Sequence, residues 1–317
     1  MSFTNNKKFT IIDDTKEVEK YMSVVIVLSD GRIAFTYLEN IQIYDYKSKS
    51  KDIEMVSAHK QRIQSLLELR HNLLLSGSSD NFIKAWYITK DTYELKATIA
   101  GHTNYIYQII HLTNNRIASC AADKNIIIIW MDTEPYSKIE TMGKSKFWTM
   151  AILQLRDKEI LVSNDENCVY FWDLKEYKKV NEINDVGCFG QGGMKETSNG
   201  KLMVGAPKKG KVVIINTENY QIETCITFDT GSFPNLNQSR GGLIYHQWWD
   251  GLFAFIEIED GNFIVATPKF EIYELDKNYK RKMIREPFTN DLMNFAKIEQ
   301  FKYVCCVGQK LIIFEYK

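Results

Sequence analysis

Two groups of histidine, serine and aspartate recur in the sequence with the same spacing. Serine follows histidine after 17 residues and aspartate follows serine after four, in both His59, Ser76, Asp80 and His102, Ser119, Asp123. These are the residue types of a hydrolase triad, in which histidine activates the serine hydroxyl and aspartate orients the histidine. Each group, however, repeats as a unit and is followed by a tryptophan, Trp86 or Trp130. We therefore predict a repeated structural hydrogen-bond network and no catalysis.

Two glycine-containing segments come close to phosphate-binding motifs. Residues 205–212, GAPKKGKV, nearly match a P-loop, but Val212 stands where the magnesium-binding hydroxyl is required, and a strand-like segment follows where a helix is needed. The segment GQGG at 190–193 lacks the strand–helix–strand unit of a dinucleotide site. The remaining histidines, His71, His111 and His246, do not have the spacing of metal ligands. We expect no cofactor and no metal.

The elements that must position these residues are indicated by a repeat. An aromatic or bulky apolar residue closes a short strand-like run seven times, at Tyr44, Trp86, Trp130, Trp172, Ile215, Tyr273 and Phe314. The intervals are 41–44 residues, except for 58 residues between Ile215 and Tyr273. A period of about 40–45 residues is typical of one four-stranded blade of a β-propeller. Seven periods nearly exhaust the chain, which predicts one propeller domain over residues 1–317.

The two ends of the sequence complement each other. The last period stops after its third strand, LIIFEYK, and the N-terminal KFTIIDD has no period of its own. We predict that residues of about 8–14 form the outer strand of the last blade and close the ring. The fold class is then all-β, a seven-bladed β-propeller of four-stranded antiparallel blades. The long interval holds an insertion over about 229–250, before blade 6, and such loops often carry recognition.

Composition narrows the function classes. The chain has 40 basic and 40 acidic residues, a balance that argues against a strongly basic nucleic-acid binder. No apolar run is long enough to span a membrane, and the first residues lack the apolar core of a signal peptide. The six cysteines form no CxxC pair. We interpret them as small buried residues of a protein in a reducing compartment. We expect an intracellular, most simply cytoplasmic protein, with cytoskeletal or ciliary association possible.

The sequence resembles the WD-repeat family of β-propellers. Repeats of this family carry Gly-His before the first strand, Ser or Thr in the second, Asp in the next turn and Trp at the end of the third, joined in a structural network. The matching residues are His59, Ser76, Asp80 and Trp86 in period two and His102, Ser119, Asp123 and Trp130 in period three. Period four has Lys144 in place of histidine, so the resemblance implies no complete network there.

The resemblance also implies a partner-binding surface. In this family, the residues three and five positions after the histidine lie on the narrow face around the central channel and often contact partners. The matching positions are Arg62, Gln64, Tyr105, Tyr107, Phe147 and Thr149, the last pair counted from Lys144. The alternative is that some of them pack at the channel mouth. Trp148 is predicted to be core, because it shares the phase of Ile63 and Ile106.

The insertion offers a second candidate surface. Tyr245, Trp248 and Trp249 lie beside a Gly-Gly pair, and could be exposed anchors or could fold back between blades. The function expected from all these features is a non-catalytic protein–protein interaction scaffold, a subunit of a larger assembly.

The sequence leaves two other classes of function open. One is recognition of ubiquitin or of a ligase substrate, for which the family motif WDxR is matched only by Trp172-Asp173-Leu174-Lys175, with lysine in place of arginine. The other is an enzyme or small-ligand binder, which the absence of carboxylate and histidine from the six narrow-face positions disfavours. Other proteins are the expected partners, and nucleic acid, membrane insertion and small-molecule substrates are not expected.

Overall fold

The computed structural model describes residues 9–17, 22–48, 53–123, 126–144, 147–165, 167–186, 193–206, 210–228, 254–258, 261–267, 271–285, 292–307 and 309–316. Within these ranges, 28 strands form seven antiparallel sheets of four strands each. The predicted seven-bladed, all-β architecture is therefore confirmed. The insertion over 229–250, with Tyr245, Trp248 and Trp249, lies outside the described residues.

The strands are numbered along the chain, and each blade lists them from the first to the outermost. Blade 1 has β2 (Met22–Val27), β3 (Ile33–Tyr37), β4 (Asn40–Tyr44) and β5 (Ile53–Met55); blade 2 has β6 (Ile63–Arg70), β7 (Leu73–Ser78), β8 (Ile83–Ile88) and β9 (Tyr93–Ile99). Blade 3 has β10 (Ile106–Leu112), β11 (Arg116–Ala121), β12 (Ile126–Met131) and β13 (Lys138–Lys144); blade 4 has β14 (Ala151–Gln154), β15 (Ile160–Asn164), β16 (Cys168–Asp173) and β17 (Lys178–Asn184). Blade 5 has β18 (Met194–Glu196), β19 (Lys201–Ala206), β20 (Lys211–Asn216) and β21 (Ile222–Thr227); blade 6 has β22 (Ala254–Glu257), β23 (Phe263–Ala266), β24 (Ile272–Leu275) and β25 (Arg281–Arg285). Blade 7 has β26 (Leu292–Glu299), β27 (Lys302–Val307), β28 (Lys310–Tyr316) and β1 (Phe9–Glu17).

The N-terminal strand completes the last blade, as predicted. β1 pairs antiparallel with β28, from Phe9 opposite Tyr316 to Glu17 opposite Lys310. It extends three residues beyond the expected end at residue 14. The ring is thus closed by hydrogen bonds between the two ends of the sequence, and this pairing covers the free edge that β28 would otherwise present.

The outermost strands share one irregularity. In blades 2 to 7 the register of the outer strand shifts directly before the residue that closes the third strand. In blade 2 the shift falls between Ala85 and Trp86, and in blade 7 it falls between Ile313 and Phe314. Bulges twist an edge strand and leave it a poor template for pairing with another chain. Since β1 carries the bulge at the same place, it is equivalent to the other outer strands.

The apolar core lies between neighbouring blades. The second strand of each blade is buried on both faces along nearly its whole length, as its nearly continuous apolar sequence requires. One cluster joins Leu75, Ile83 and Ala85 of blade 2 with Ile106 and Ile109 of blade 3. Other clusters join further neighbours in the same way, including blade 7 with blade 1. The stability of the ring therefore depends on apolar contacts between blades as well as on the hydrogen bonds within each sheet.

A polar contact recurs between blades at the turn after the first strand. A backbone N–H in this turn donates to a carboxylate or amide oxygen from the first strand of the next blade. The pairs are Ser29 with Glu68 (2.6 Å), Thr113 with Gln154 (2.8 Å), Arg156 with Glu196 (2.7 Å) and Ser198 with Glu257 (3.0 Å). In all four pairs the acceptor lies in the later blade. We call these contacts the inter-blade brackets.

Candidate functional site

In blade 2 a chain of hydrogen bonds runs from the turn aspartate to the closing tryptophan. His59 Nδ1 lies 3.0 Å from Asp80 Oδ2, and His59 Nε2 lies 2.7 Å from Ser76 Oγ. Trp86 Nε1 donates to the same Oγ at 2.8 Å. Asp80 also accepts the backbone N–H of Lys60 at 2.9 Å. The chain connects the loop before β6, the turn after β7 and the end of β8.

Protonation in this network follows from burial. Burial lowers the pKa of His59 below its ordinary value of 6.5, against the opposing effect of Asp80. Burial also disfavours the Asp80 carboxylate, but hydrogen bonds from His59 and Lys60 outweigh this effect and hold the pKa of Asp80 at about 2. Since a carboxylate only accepts, Nδ1 of the neutral imidazole carries the hydrogen and Nε2 accepts from Ser76. Ser76 is fully buried, so no substrate reaches its hydroxyl, and the network is structural.

Blade 3 contains the same network. His102 Nδ1 lies 2.9 Å from Asp123 Oδ2, and His102 Nε2 lies 2.7 Å from Ser119 Oγ. Trp130 Nε1 donates to this Oγ at 2.6 Å. All four side chains are buried. The structure therefore places together both sets of residues that the sequence spacing singled out.

Blade 4 keeps only the inner half of the network. Trp172 Nε1 donates to Ser163 Oγ at 2.7 Å, as in the two preceding blades. Asn167 stands four residues after Ser163, where the other blades have aspartate. The carboxylate comes instead from Asp165, which is fully buried and accepts the Tyr170 hydroxyl at 2.8 Å. This tyrosine–aspartate pair was not predicted, because the sequence does not mark Asp165 as a network position.

The narrow-face candidates lie at one end of their blades. Ile63 at the start of β6 pairs with Ser78 at the end of β7, and Ile83 at the start of β8 pairs with Ile99 at the end of β9. The start of the first strand, the turn between the second and third strands and the end of the outer strand therefore share one end. We call this the upper end of a blade. The histidine and the aspartate of both complete networks lie there.

Two of the six candidates are exposed. Tyr105 has 41% of its surface exposed and Phe147 has 40%, and each precedes the first strand of its blade. They lie at the upper ends of blades 3 and 4. A partner that approaches this end meets both rings directly.

The other four candidates are largely withdrawn from the surface. Arg62 Nε donates to Ser23 Oγ of blade 1 at 2.8 Å, and burial lowers the pKa of Arg62 to about 10, so the guanidinium stays charged at neutral pH. Gln64 is buried and donates to Ser79 Oγ at 3.2 Å. Tyr107 packs against the core between blades 3 and 4, where burial raises its pKa to about 12.

Thr149 is 1% exposed, the most deeply buried of the six. Gln64 and Thr149 are thus packed residues, and a role for them in partner binding stays a prediction. The physical reason for the burial of Gln64 is that it lies within β6, a first strand that neighbouring blades cover on both faces. Thr149 is the first of a run of buried residues that continues into β14.

Two further aromatic residues at the upper end belong with the exposed pair. Trp148 was predicted to be core but is 37% exposed, and Phe82, in the turn after β7, is 36% exposed. We call Phe82, Tyr105, Phe147 and Trp148 the aromatic surface. They lie at the upper ends of three consecutive blades, blades 2 to 4.

Within the described ranges, no group of three or more His, Cys, Asp or Glu residues could hold a metal ion. The same residues contain no helix long and apolar enough to cross a membrane. In these ranges the upper ends of blades 2 to 4 combine structural networks with exposed aromatic side chains and the exposed Lys60.

The fold, the repeated networks and the sequence resemble those of WD-repeat β-propellers. The family described as "WD domain, G-beta repeat" matches residues 93–129, a stretch that runs from β9 through His102, Ser119 and Asp123 into β12. The chain is similar, at 26% identity over 129 residues, to human "DDB1- and CUL4-associated factor 10". This match covers 40% of the chain and 23% of that protein, so it spans less than a quarter of the relative's length.

Proposed function

We propose that this chain is a non-catalytic scaffold or adaptor that binds other proteins through the upper ends of blades 2 to 4. The observation that carries the proposal is the aromatic surface, whose four residues are each 36–41% exposed. Burying a large aromatic side chain in an interface removes apolar surface from water, which lowers the free energy. Such side chains are therefore typical interface anchors. The WD repeat is itself an interaction module, which supports this class of function.

The mechanism is presentation of fixed side chains by a rigid ring. The backbone carbonyl of Tyr105 accepts the Ala122 N–H at 2.9 Å, and the Tyr105 N–H donates to Asn104 Oδ1 at 2.8 Å. The hydrogen bond between His102 Nδ1 and Asp123 Oδ2, at 2.9 Å, also holds this loop in place. Because these contacts exist before binding, little conformational entropy is lost when a partner docks.

The test is affinity purification of the tagged chain with and without Tyr105→Ala/Phe147→Ala. The matched control is Tyr87→Ala/Met131→Ala, whose residues are equally exposed, at 42% and 43%, but lie at the opposite ends of β8 and β12. We expect partners to be lost in the first variant and retained in the control, with equal melting temperatures. Retention in both would assign binding to another surface.

A second candidate function is recognition in a ubiquitin ligase, which the similarity to the human DDB1- and CUL4-associated factor favours. The segment Trp172–Lys175 runs from the end of β16 into the tight turn that follows, where Asp173 Oδ1 accepts the N–H groups of Lys175 at 2.7 Å and Glu176 at 2.8 Å. Lys175 itself is exposed. Binding of the chain to purified DDB1, lost in Lys175→Glu, would support this function, whereas no binding at micromolar concentrations would count against it.

A further inference from the structure

A run of basic residues follows the third strand of blade 6 into its outer strand. The ten residues 276–285, DKNYKRKMIR, contain five basic residues and one acidic residue, in a chain that is neutral overall. They form the turn after β24 and the strand β25, and the turn lies at the end of the blade opposite its upper end. Four of the basic side chains are described and all four are exposed, and we call them the basic edge: Lys277, Lys280, Arg281 and Lys282.

The acidic residues of β24 and its turn are engaged elsewhere. Asp276 Oδ1 accepts the backbone N–H groups of Asn278 at 2.8 Å and Lys280 at 2.9 Å, so this carboxylate caps the turn. Glu274 is 7% exposed and accepts the Tyr316 hydroxyl at 2.7 Å. Within the part of the chain that the structure describes, no carboxylate forms an ion pair with a member of the basic edge.

Exposed lysines of other outer strands do have such partners. In β9, Lys96 Nζ lies 2.7 Å from Glu94 Oε2, and at the start of β17, Lys178 Nζ lies 3.4 Å from Glu176 Oε2. In the basic edge, four positive side chains lie within six residues and have no carboxylate beside them in the described ranges. Neighbouring like charges repel one another, and a bound anion would relieve this repulsion.

One member of the basic edge is held in position. Arg281 Nη1 donates to the backbone carbonyl of Thr227 in blade 5, and its guanidinium lies over the Phe228 ring, 5.5 Å from the ring centroid. A guanidinium has five N–H donors in a planar fork, which matches the two oxygens of a carboxylate. Because these contacts already restrict the side chain, less conformational entropy is lost when an anion binds to it.

We infer that the basic edge binds an acidic segment of a partner protein. Carboxylates of this segment would pair with the three lysines and with the fork of Arg281. The site is separate from the aromatic surface, because it lies in blade 6 and its turn is at the opposite end from the upper ends of blades 2 to 4. The inference therefore adds a second interaction surface to the proposed function and does not depend on it.

Nucleic acid and an anionic bilayer are the competing occupants of a basic surface. Both present negative charge over an area wider than a single strand. The outer strands of the two neighbouring blades are net acidic in sequence: β21 has Glu223 and no basic residue, and β1 has three acidic residues against Lys16. A bilayer or a long nucleic acid along the rim would meet these strands as well. A short acidic segment contacts β25 alone, so it is the occupant that the observations favour.

The experiment selects random peptides displayed on phage against the immobilised chain, after depletion of the library on Lys280→Glu/Lys282→Glu. The depletion removes peptides that bind other surfaces, and we expect the remaining binders to be net acidic. A fluorescent copy of the leading peptide should bind the wild type with an affinity that falls with salt. Its affinity should drop about fivefold or more in Lys277→Glu, a variant that plays no part in the depletion.

The matched control is Lys178→Glu, which makes the same change of charge between the third and outer strands of blade 4. We expect this variant to bind the peptide as the wild type does, and both variants to melt at the temperature of the wild type. An equal loss of affinity in Lys178→Glu would overturn the inference. So would an affinity that does not depend on salt, enriched peptides without net negative charge, or a selection that yields no binders.

Two further measurements separate this inference from the alternatives. Tyr105→Ala/Phe147→Ala should leave the affinity for the peptide unchanged, whereas its loss would place the peptide on the aromatic surface and overturn the inference without affecting the proposed function. Oligo(U) RNA and vesicles that contain phosphatidylserine test the competing occupants. Binding of either with the same dependence on Lys277, in the absence of peptide binding, would assign the basic edge to that occupant and overturn the inference.

Discussion

Gly101 lies against the indole ring of Trp130 so closely that a methyl group at position 101 would be 2.3 Å from Trp130 Cη2. Gly143 has the same relationship to Trp172 in the next blade, at 3.0 Å from Cζ3. Each glycine directly precedes the histidine position of its repeat. The glycine of the Gly-His pair is therefore required by packing on the closing tryptophan, and it persists in blade 4, where Lys144 replaces the histidine.

Gly101→Ala should destabilise the protein by about 1–3 kcal/mol, because the added methyl group forces the Trp130 ring or the loop to move. Chemical denaturation would measure the loss, with the neighbouring Ala100→Ser as an exposed control. Combining Gly101→Ala with Trp130→Phe should cost less than the sum of the two single changes, since the smaller ring removes the clash. Strict additivity would show that the contact is not the cause.

Asp80→Ala should destabilise more than its turn position suggests, by about 1–3 kcal/mol, because the buried His59 Nδ1 hydrogen loses its acceptor. The exposed Asp91, in the turn after β8, provides the matched control Asp91→Ala. Thermal melting of the two variants checks the prediction. A melting temperature of Asp80→Ala equal to or above that of the wild type would contradict a stabilising network.

Stability should fall as the pH is lowered through the histidine range. The pKa of His59 is lower in the folded state than its ordinary 6.5, so the unfolded chain binds a proton first and acid favours unfolding below that pH. The pKa of Asp80, about 2 against an ordinary 3.8, acts in the same direction at lower pH. Denaturation between pH 8 and 5 should show a shallower decline in His59→Gln than in the wild type, and equal slopes would refute this contribution.

Ser119→Ala should cost more stability than Ser163→Ala. Ser119 Oγ is hydrogen-bonded to both His102 Nε2 and the Trp130 N–H. Ser163 Oγ accepts the Trp172 N–H in blade 4, where the network is incomplete. Each buried group left without a partner costs about 1–3 kcal/mol. Parallel urea titrations give the comparison, and a larger loss for Ser163→Ala would mean that packing around the hydroxyl decides the effect.

Deleting Phe9–Glu17 should lower the melting temperature and promote aggregation, because β28 becomes an exposed edge. Light scattering during a thermal melt measures both effects. Replacing the strand in trans, by adding a synthetic peptide of residues 9–17, should restore part of the stability. An unchanged melt in the deleted protein would mean that this strand contributes nothing to ring closure.

Much of the fold was predictable because the repeat is periodic and its signals are local. The seven closing residues predicted seven blades, and the structure has seven. The spacing of His102, Ser119 and Asp123 predicted a hydrogen-bond network, which the structure contains. The pairing of β1 with β28 followed from a missing strand at one end and an extra one at the other. These inferences depend on the order of residues within one repeat, which a sequence contains directly.

The binding surface was less predictable because exposure depends on neighbouring blades. Trp148 was expected to be buried by analogy with Ile63 and Ile106, which begin β6 and β10. In blade 4 the first strand begins only at Ala151, so Trp148 lies in the preceding loop and strand alternation does not apply to it. Gln64 is buried, since its strand is covered on both faces.

The inter-blade brackets bear on how the chain is made. Ser29, Thr113, Arg156 and Ser198 donate to acceptors that lie 39, 41, 40 and 59 residues further along the sequence. The ribosome synthesises each donor before its acceptor. The donor N–H of each of these turns therefore has no bracket partner until about one more blade has been synthesised. In these blades, folding on the ribosome can therefore finish only one blade behind synthesis.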